Sequence, residues 1–179
     1  MPDESNLGSG ELHETLRGGE RVRIRRVRPE DVALYADFLR GVSAEDLRLR
    51  FFARAAELSA AESGRLGRLD YTHEIAFVAL DEGTGQMLGL VRLKDELDEK
   101  TAEFAILVRS RLKGRGRDWL LMRHIIDYAK AKGLRRLYGD VLTENTPMLQ
   151  MCTELGFREL DMGSHMRRFV LDLEPRTSG

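Results

Sequence analysis

Alternation of apolar and polar residues predicts most of the strands of this chain. "VRIRRV" (22–27) alternates apolar with basic side chains, which is typical of a strand with one buried face. From residue 74, three apolar runs separated by polar turns predict an antiparallel meander: "EIAFVAL", "QMLGLVRL" and "TAEFAILV". Later runs predict further strands: "RRLYGDVL", "FREL" and "HMRRFVLDL".

Apolar residues at helical spacing predict helices between these strands. Residues 29–41 begin with proline and acidic residues and end with glycine, which are helix start and stop signals. Ser43 and Asp46 form a capping pattern for a second helix, and a third is expected in residues 59–70. Two more are expected to begin at about residues 115–118 and at about Asn145. This order of elements predicts a mixed α/β layer domain.

Length and composition limit the possible classes of protein. A chain of 179 residues fits one domain, which we expect over 21–174, with a flexible N-terminal tail over 1–20 and a C-terminal tail over 175–179. The 29 basic and 30 acidic residues give a net charge of -1, so the charge does not indicate a nucleic-acid or membrane partner. The single cysteine and the scattered histidines favour a cytoplasmic protein without a metal site.

Two glycines among basic residues mark the loop before the fourth helix. A helix start has backbone N–H groups without partners and a partial positive charge, and Gly114 and Gly116 would let a phosphate group approach them. A plain turn with solvated arginines explains the same pattern equally well. The chain has no ATP-type phosphate-binding loop, and Trp119 occupies the third glycine position of a dinucleotide fingerprint, which argues against that motif.

The segment "RLKGRG" (111–116) after a strand, with "EN" and "ELGF" downstream, resembles the GNAT superfamily of N-acetyltransferases. Longer stretches, such as "LTENTPMLQMCTELGF", are similar to the acetyltransferase domain of Pat-type bacterial protein lysine acetyltransferases. The resemblance covers about residues 22–173. It implies the GNAT fold, with a mixed, mostly antiparallel central sheet of about six to seven strands flanked by helices on both faces.

The same resemblance implies a reaction. The co-substrate would be acetyl-CoA, no metal would be needed, and the acceptor would be the ε-amine of lysine in a target protein, for which an acyl-CoA synthetase is one candidate. Two alternatives stay open. One is a small-molecule N-acetyltransferase acting on a polyamine, amino sugar or amino acid, and the other is a non-catalytic acyl-CoA-binding module. The oligomeric state stays open as well.

The resemblance also assigns roles to residues. In the family, the glycine motif binds the pyrophosphate of coenzyme A, and the backbone of the preceding strand binds the pantetheine arm and polarises the thioester carbonyl. The matching residues here are Ile106, Leu107, Val108, Arg111, Leu112, Lys113, Gly114, Arg115, Gly116, Arg117 and Asp118. Asn145 fits an asparagine that contacts the coenzyme, and an ordinary helix N-cap fits it equally well.

Glu103 is the candidate catalytic residue. It is an acid in the otherwise apolar run "AEFAILV", and a solvated strand face would explain it without any catalytic role. In the Pat-type group the matching glutamate acts as the general base, directly or through water. Many family members carry a tyrosine five residues before the phenylalanine of "GF" as general acid, but Cys152 stands there, so the general acid is unassigned. A buried cysteine of the core is the simpler interpretation.

Overall fold

The computed structural model describes residues 11–45, 73–98, 100–109, 116–163 and 165–173. Within them, the strands are β1 (Leu12–Thr15), β2 (Arg21–Arg26), β3 (Glu74–Asp81), β4 (Met87–Asp95), β5 (Thr101–Val108), β6 (Arg136–Leu142), β7 (Arg158–Asp161) and β8 (Met166–Asp172). The helices are α1 (Val32–Arg40), preceded by a 3₁₀ turn (Pro29–Asp31), α2 (Arg117–Lys132) and α3 (Thr146–Glu154). In this part of the chain, no helix combines the length and apolar composition needed to span a bilayer.

All eight strands belong to one sheet, in the order β1-β2-β3-β4-β5-β6-β8-β7. Neighbouring strands are antiparallel except β5 and β6, which run parallel because α2 carries the chain back between them. The predicted α/β class and mostly antiparallel sheet are therefore confirmed. The predicted number of strands, six to seven, is slightly low.

The additional strand lies in the segment predicted to be a flexible tail. β1 pairs antiparallel with β2, with Leu12 opposite Ile24 and Thr15 opposite Arg21. Leu12 and Leu16 are partly buried against the core. The tail prediction over 1–20 is therefore wrong for residues 12–15, because backbone pairing orders a strand whose own side chains are mostly exposed.

Helices pack on both faces of the sheet, as predicted. On one face, Phe38 of α1 lies in a cluster with Val78 and Leu90. On the other, Leu121 of α2 lies in a cluster with Phe77, and Met151 and Cys152 of α3 extend the same cluster. The alternation along β3 and β4 creates the two cores, because successive side chains point to opposite faces. Apart from residues 43–45, the predicted second and third helices lie outside the described residues.

β5 separates from β6 halfway along its length. The β5–β6 pairing consists of Thr101 with Arg136, Ala102 with Leu137 and Glu103 with Tyr138, and it ends there. On its other edge, β5 continues to pair with β4 as far as Val108. The second half of β5 therefore borders a gap in the sheet, on the side of β6.

Phe104 packs over β6 at the point where the two strands separate. A Cβ atom built on Gly139 would lie 2.6 and 2.7 Å from Cε1 and Cε2 of the Phe104 ring, so the ring rests directly on the glycine backbone. Phe157 contacts the same ring edge-on, with centroids 5.3 Å apart. Glycine is required at position 139 because any side chain would occupy the space of this ring.

We expect Gly139→Ala to destabilise the protein by about 1–3 kcal/mol, because the new methyl group would push Phe104 out of its place. The measurement is the free energy of unfolding in guanidinium chloride. Gly18→Ala is the matched control, since a Cβ there meets nothing within 4 Å, and its effect should stay below about 1 kcal/mol. Equal unfolding free energies for the two variants would contradict the proposed packing.

Candidate active site

The gap between β5 and β6 is bordered by backbone amides of β5. Arg109 donates its N–H to Leu88 O of β4 at 3.0 Å. Backbone groups alternate sides along a strand, so the N–H groups of Ile106 and Val108 face the gap. The N–H of Leu107 points the other way, toward its partner Leu90 on β4, and does not face the gap. Two of the three backbone positions predicted from the family resemblance therefore offer amides to a ligand in the gap.

Arg109 holds the end of β5 against its surroundings. Its buried guanidinium donates from Nε to Met87 O at 2.7 Å and from Nη2 to the Asp37 carboxylate of α1 at 2.8 Å. A Cβ on Gly41 would lie 3.2 Å from the guanidinium carbon, so Gly41 leaves the room that the guanidinium occupies. Because Asp37 lies in α1 and Gly41 directly follows it, these contacts fix the end of β5 relative to that helix.

The helix α2 begins beside the open end of the gap. Gly116 precedes it with φ of 91°, a left-handed conformation that favours glycine. The first intrahelical bond runs from Leu120 N–H to Gly116 O at 3.0 Å, so helix geometry directs the preceding N–H groups outward from the start of the helix. The predicted site residues 111–115 lie outside the described residues.

Two predicted anion-binding residues in the first turn of α2 have side chains engaged elsewhere. The Arg117 side chain is 2% exposed and is bonded to the carboxylate of Glu20. The Asp118 carboxylate accepts a bond from the N–H of Trp119 at 2.9 Å. Either residue could contact an anion through its backbone N–H. The buried Arg117 guanidinium does not provide an exposed positive charge for a ligand.

Glu103 lies at the last paired position of β5, where the gap begins. It is exposed and shares its face of the strand with Leu107, which packs in the cluster on the side of α1. The open alternative of a solvated strand face therefore describes its exposure correctly. Exposure and position together leave this carboxylate accessible at the closed end of the gap.

A polar cluster that sequence reasoning missed surrounds Glu103. Tyr138, its register partner on β6, donates its hydroxyl to Glu96. Burial raises the pKa of Tyr138, and the bond to Glu96 and the charge of Glu103 raise it further, so the tyrosine is neutral at physiological pH. The Arg168 guanidinium lies 4.6 Å from the centre of the Tyr138 ring and binds both carboxylate oxygens of Asp140, at 2.8 and 3.0 Å.

Asn145 and Cys152 have different surroundings. Asn145 occupies the N-cap position of α3, but its side chain makes no capping hydrogen bond, so the ordinary N-cap explanation is not supported. Cys152 is fully buried in the core cluster on the side of α2. Burial raises the pKa of the Cys152 thiol to about 12, which makes it a poor proton donor and supports the interpretation as a core residue.

Among the described residues, no group of three or more His, Cys, Asp and Glu side chains is arranged to hold a metal ion. His124 packs edge-on against Phe77, with ring centroids 4.4 Å apart, and burial lowers its pKa. This histidine is therefore a packing residue of α2.

Comparisons with known proteins agree with this geometry. The chain matches the sequence model of the acetyltransferase (GNAT) family over residues 42–157. An acetyltransferase from Pseudomonas aeruginosa is 34% identical over 146 residues, which are 80% of this chain and 78% of that protein. The GNAT domain of S. lividans PAT has a TM-score of 0.83 and 27% identity, covering 91% of this chain and 97% of that domain.

A spermidine N-acetyltransferase from Vibrio cholerae, solved in complex with CoA and spermine, shares the fold. Its TM-score is 0.67 at 19% identity, and the match covers 86% of this chain and 96% of that one.

We expect the Cys152 thiol of the folded protein to resist Ellman's reagent at about pH 8, because thiolate is the reactive form and burial keeps this thiol protonated. In guanidinium chloride the same cysteine should react fully, since an exposed cysteine has a pKa of about 8.5. The measurement is the absorbance of the released thionitrobenzoate per mole of protein. Rapid labelling of the folded chain would contradict the core position of Cys152.

Proposed function

The chain belongs to the acetyltransferase (GNAT) family, and from this membership we propose that it transfers the acetyl group of acetyl-CoA to the ε-amine of lysine in a target protein. The observation that carries the proposal is the exposed carboxylate of Glu103 at the closed end of the gap. We further propose that the protein works in the cytoplasm, where acetyl-CoA and protein substrates are both present. An acyl-CoA synthetase is one candidate for the target.

The gap and the start of α2 fit the two halves of acetyl-CoA. The amides of Ile106 and Val108 can bond the pantetheine arm, and one of them can donate to the thioester carbonyl. Such a donor stabilises the developing oxyanion and contributes about 3 kcal/mol to lowering the barrier. The left-handed Gly116 and the outward N–H groups of α2 suit the pyrophosphate, with Asn145 as a further contact to the coenzyme.

Glu103 would act as general base. A lysine ammonium with a pKa of about 10.4 is almost wholly charged at neutral pH and must lose a proton before its nitrogen can attack. In this mechanism the proton passes to Glu103, directly or through a water molecule. The amine nitrogen then bonds to the acetyl carbon and releases a second proton to solvent, the carbon–sulfur bond breaks, and the products are the neutral amide and the coenzyme A thiolate.

The departing thiolate needs no dedicated acid in this mechanism. Cys152 is too deeply buried to protonate it. The hydroxyl of Tyr138 is already donated to Glu96. We therefore propose that the thiolate leaves unassisted and takes its proton from solvent.

Similarity to the GNAT domain of S. lividans PAT and the Pat-type sequence stretches support a protein acceptor. The shared fold of the Vibrio cholerae spermidine N-acetyltransferase supports a polyamine as the second candidate. The charges beside Glu103 favour the first, because Arg168 neutralises Asp140 and one Glu96 oxygen accepts the Tyr138 hydroxyl, which leaves fewer free carboxylate oxygens for a polycation. A polyamine needs several available carboxylates, whereas a single lysine ammonium needs one.

We expect Glu103→Gln to lower kcat for acetylation of a lysine peptide by about 10²–10⁴-fold, because the amide cannot accept the proton. Affinity for acetyl-CoA, measured by calorimetry, should be unchanged. Glu14→Gln, an exposed acid on β1, is the matched control and should leave kcat unchanged. Near-normal turnover of Glu103→Gln at pH 7 would contradict the assignment of the base, and a wild-type chain that binds acetyl-CoA without turnover would indicate a non-catalytic module.

The acceptor can be identified by mass spectrometry after the purified chain is incubated with acetyl-CoA, a cell lysate and spermidine. We expect acetyl-lysine on a limited set of proteins. A parallel incubation with Glu103→Gln measures the non-enzymatic acetylation, which is subtracted. Efficient acetylation of spermidine without enzyme-dependent protein modification would identify a small-molecule enzyme instead.

A further inference from the structure

Two contacts join the turn between β1 and β2 to the first residues of α2. The Glu20 carboxylate bonds the guanidinium of Arg117. Four residues before Glu20, the Cδ2 atom of Leu16 lies 3.6 Å from the position that a Cβ on Gly116 would take. The turn between β1 and β2 is therefore bonded to Arg117 and lies beside Gly116, two consecutive residues at the open end of the gap.

The turn is ordered by its own backbone bonds. Leu16 N–H donates to Glu20 O at 2.8 Å, and Gly19 N–H donates to Leu16 O at 2.8 Å. The strands on either side are paired up to Thr15 and Arg21. Leu16 and Glu20 are thus fixed relative to each other and to the sheet, so their contacts can fix α2 in turn.

The charge of the pair is balanced. A buried guanidinium requires a counter-charge, and Glu20, with its side chain 27% exposed, supplies one for the 2%-exposed Arg117. Together the two side chains add no net charge at the start of α2. Their effect on a bound anion must therefore come from the position that they give to the helix.

We propose that the turn from Leu16 to Glu20 positions the start of α2 for the pyrophosphate of coenzyme A, with Glu20 as a positioning residue that acts through Arg117. This inference rests on the proposed use of acetyl-CoA and adds a specific role for the N-terminal hairpin. The helix amides bind the anion, and the turn sets where those amides lie relative to the amides of β5.

The test compares two acetyl donors in Glu20→Gln, with a lysine peptide as acceptor. S-acetylpantetheine carries the thioester and the pantetheine arm but lacks the pyrophosphate. We expect kcat/KM with acetyl-CoA to fall about tenfold through KM, because a misplaced binding group costs affinity, and kcat/KM with S-acetylpantetheine to stay within about twofold. The affinity for CoA, measured by calorimetry, should fall by the same factor as kcat/KM with acetyl-CoA.

Glu82→Gln is the matched control. Glu82 lies in the turn after β3, and this variant removes its contact with His13 of β1. The Glu82 side chain is 24% exposed, close to the value of 27% for Glu20. Neither donor should be affected in this variant. If Glu20→Gln does not fold, Glu20→Asp and Leu16→Ala are measured with the same two donors and should show the same selective loss.

Three results would overturn the inference: an equal loss with both donors, an unchanged affinity for CoA, or a tighter affinity, which would mean that the charge of Arg117 binds the anion directly. A wild-type chain without affinity for CoA would overturn it too. A wild-type chain that binds CoA but acetylates no protein would contradict the proposed acceptor, while the CoA affinities of the variants would still decide the role of Glu20.

Discussion

Beyond Glu103, the backbone of β5 pairs with a neighbouring strand on one edge only. Its pairing with β4 continues to Val108, whereas its pairing with β6 ends at Tyr138. Backbone N–H and C=O groups that lack protein partners inside a sheet are costly unless water or a ligand satisfies them. The Phe104 ring packs on the Gly139 backbone at the point where the two strands separate. The fold thus directs the amides of Ile106 and Val108 into the gap, where the proposed pantetheine arm would bond them.

β5 also determines the distance between the Glu103 carboxylate and the Ile106 amide, because it carries both residues. Glu103 and Ile106 are about 10 Å apart along the strand, since each residue advances about 3.3 Å. In the proposed mechanism, a thioester bonded by the Ile106 amide would lie some distance from the carboxylate, and this spacing would favour a proton relay through a water molecule. Arg109 holds the end of this strand through Met87 and Asp37.

The local sequence pattern predicted the elements well and the contacts between distant elements poorly. The alternation in residues 22–27 and the meander from residue 74 correspond to β2 to β5, because half-buried strands carry their periodicity in the sequence. β1 was missed because its side chains are mostly exposed and backbone pairing orders it. The parallel register that joins Tyr138 to Glu103 depends on how α2 returns the chain, which no local pattern encodes.

The site residues show the same limit. The motif assigned Arg117 to the anion by its place beside Gly116, but its charge is engaged by Glu20, 97 residues earlier in the chain. Glu103 could be selected because an acid in an apolar strand is visible in the sequence. Its neighbours Glu96 and Tyr138 could not, since each is unremarkable within its own segment. The sequence therefore provides candidates that lie on one strand, but not the contacts that form where two segments meet.

The two faces of β5 separate the approaches of donor and acceptor. Phe104 and Val108 pack into the core beneath α2, so that face is closed by protein. Glu103 is exposed on the opposite face, beside a tyrosine kept neutral and an aspartate paired with Arg168. In the proposed mechanism, an amine would approach from the face of Glu103, while the extended donor would lie in the gap at the edge of the strand. Separate approaches would let both substrates occupy the site together, which is the arrangement that the proposed direct transfer requires.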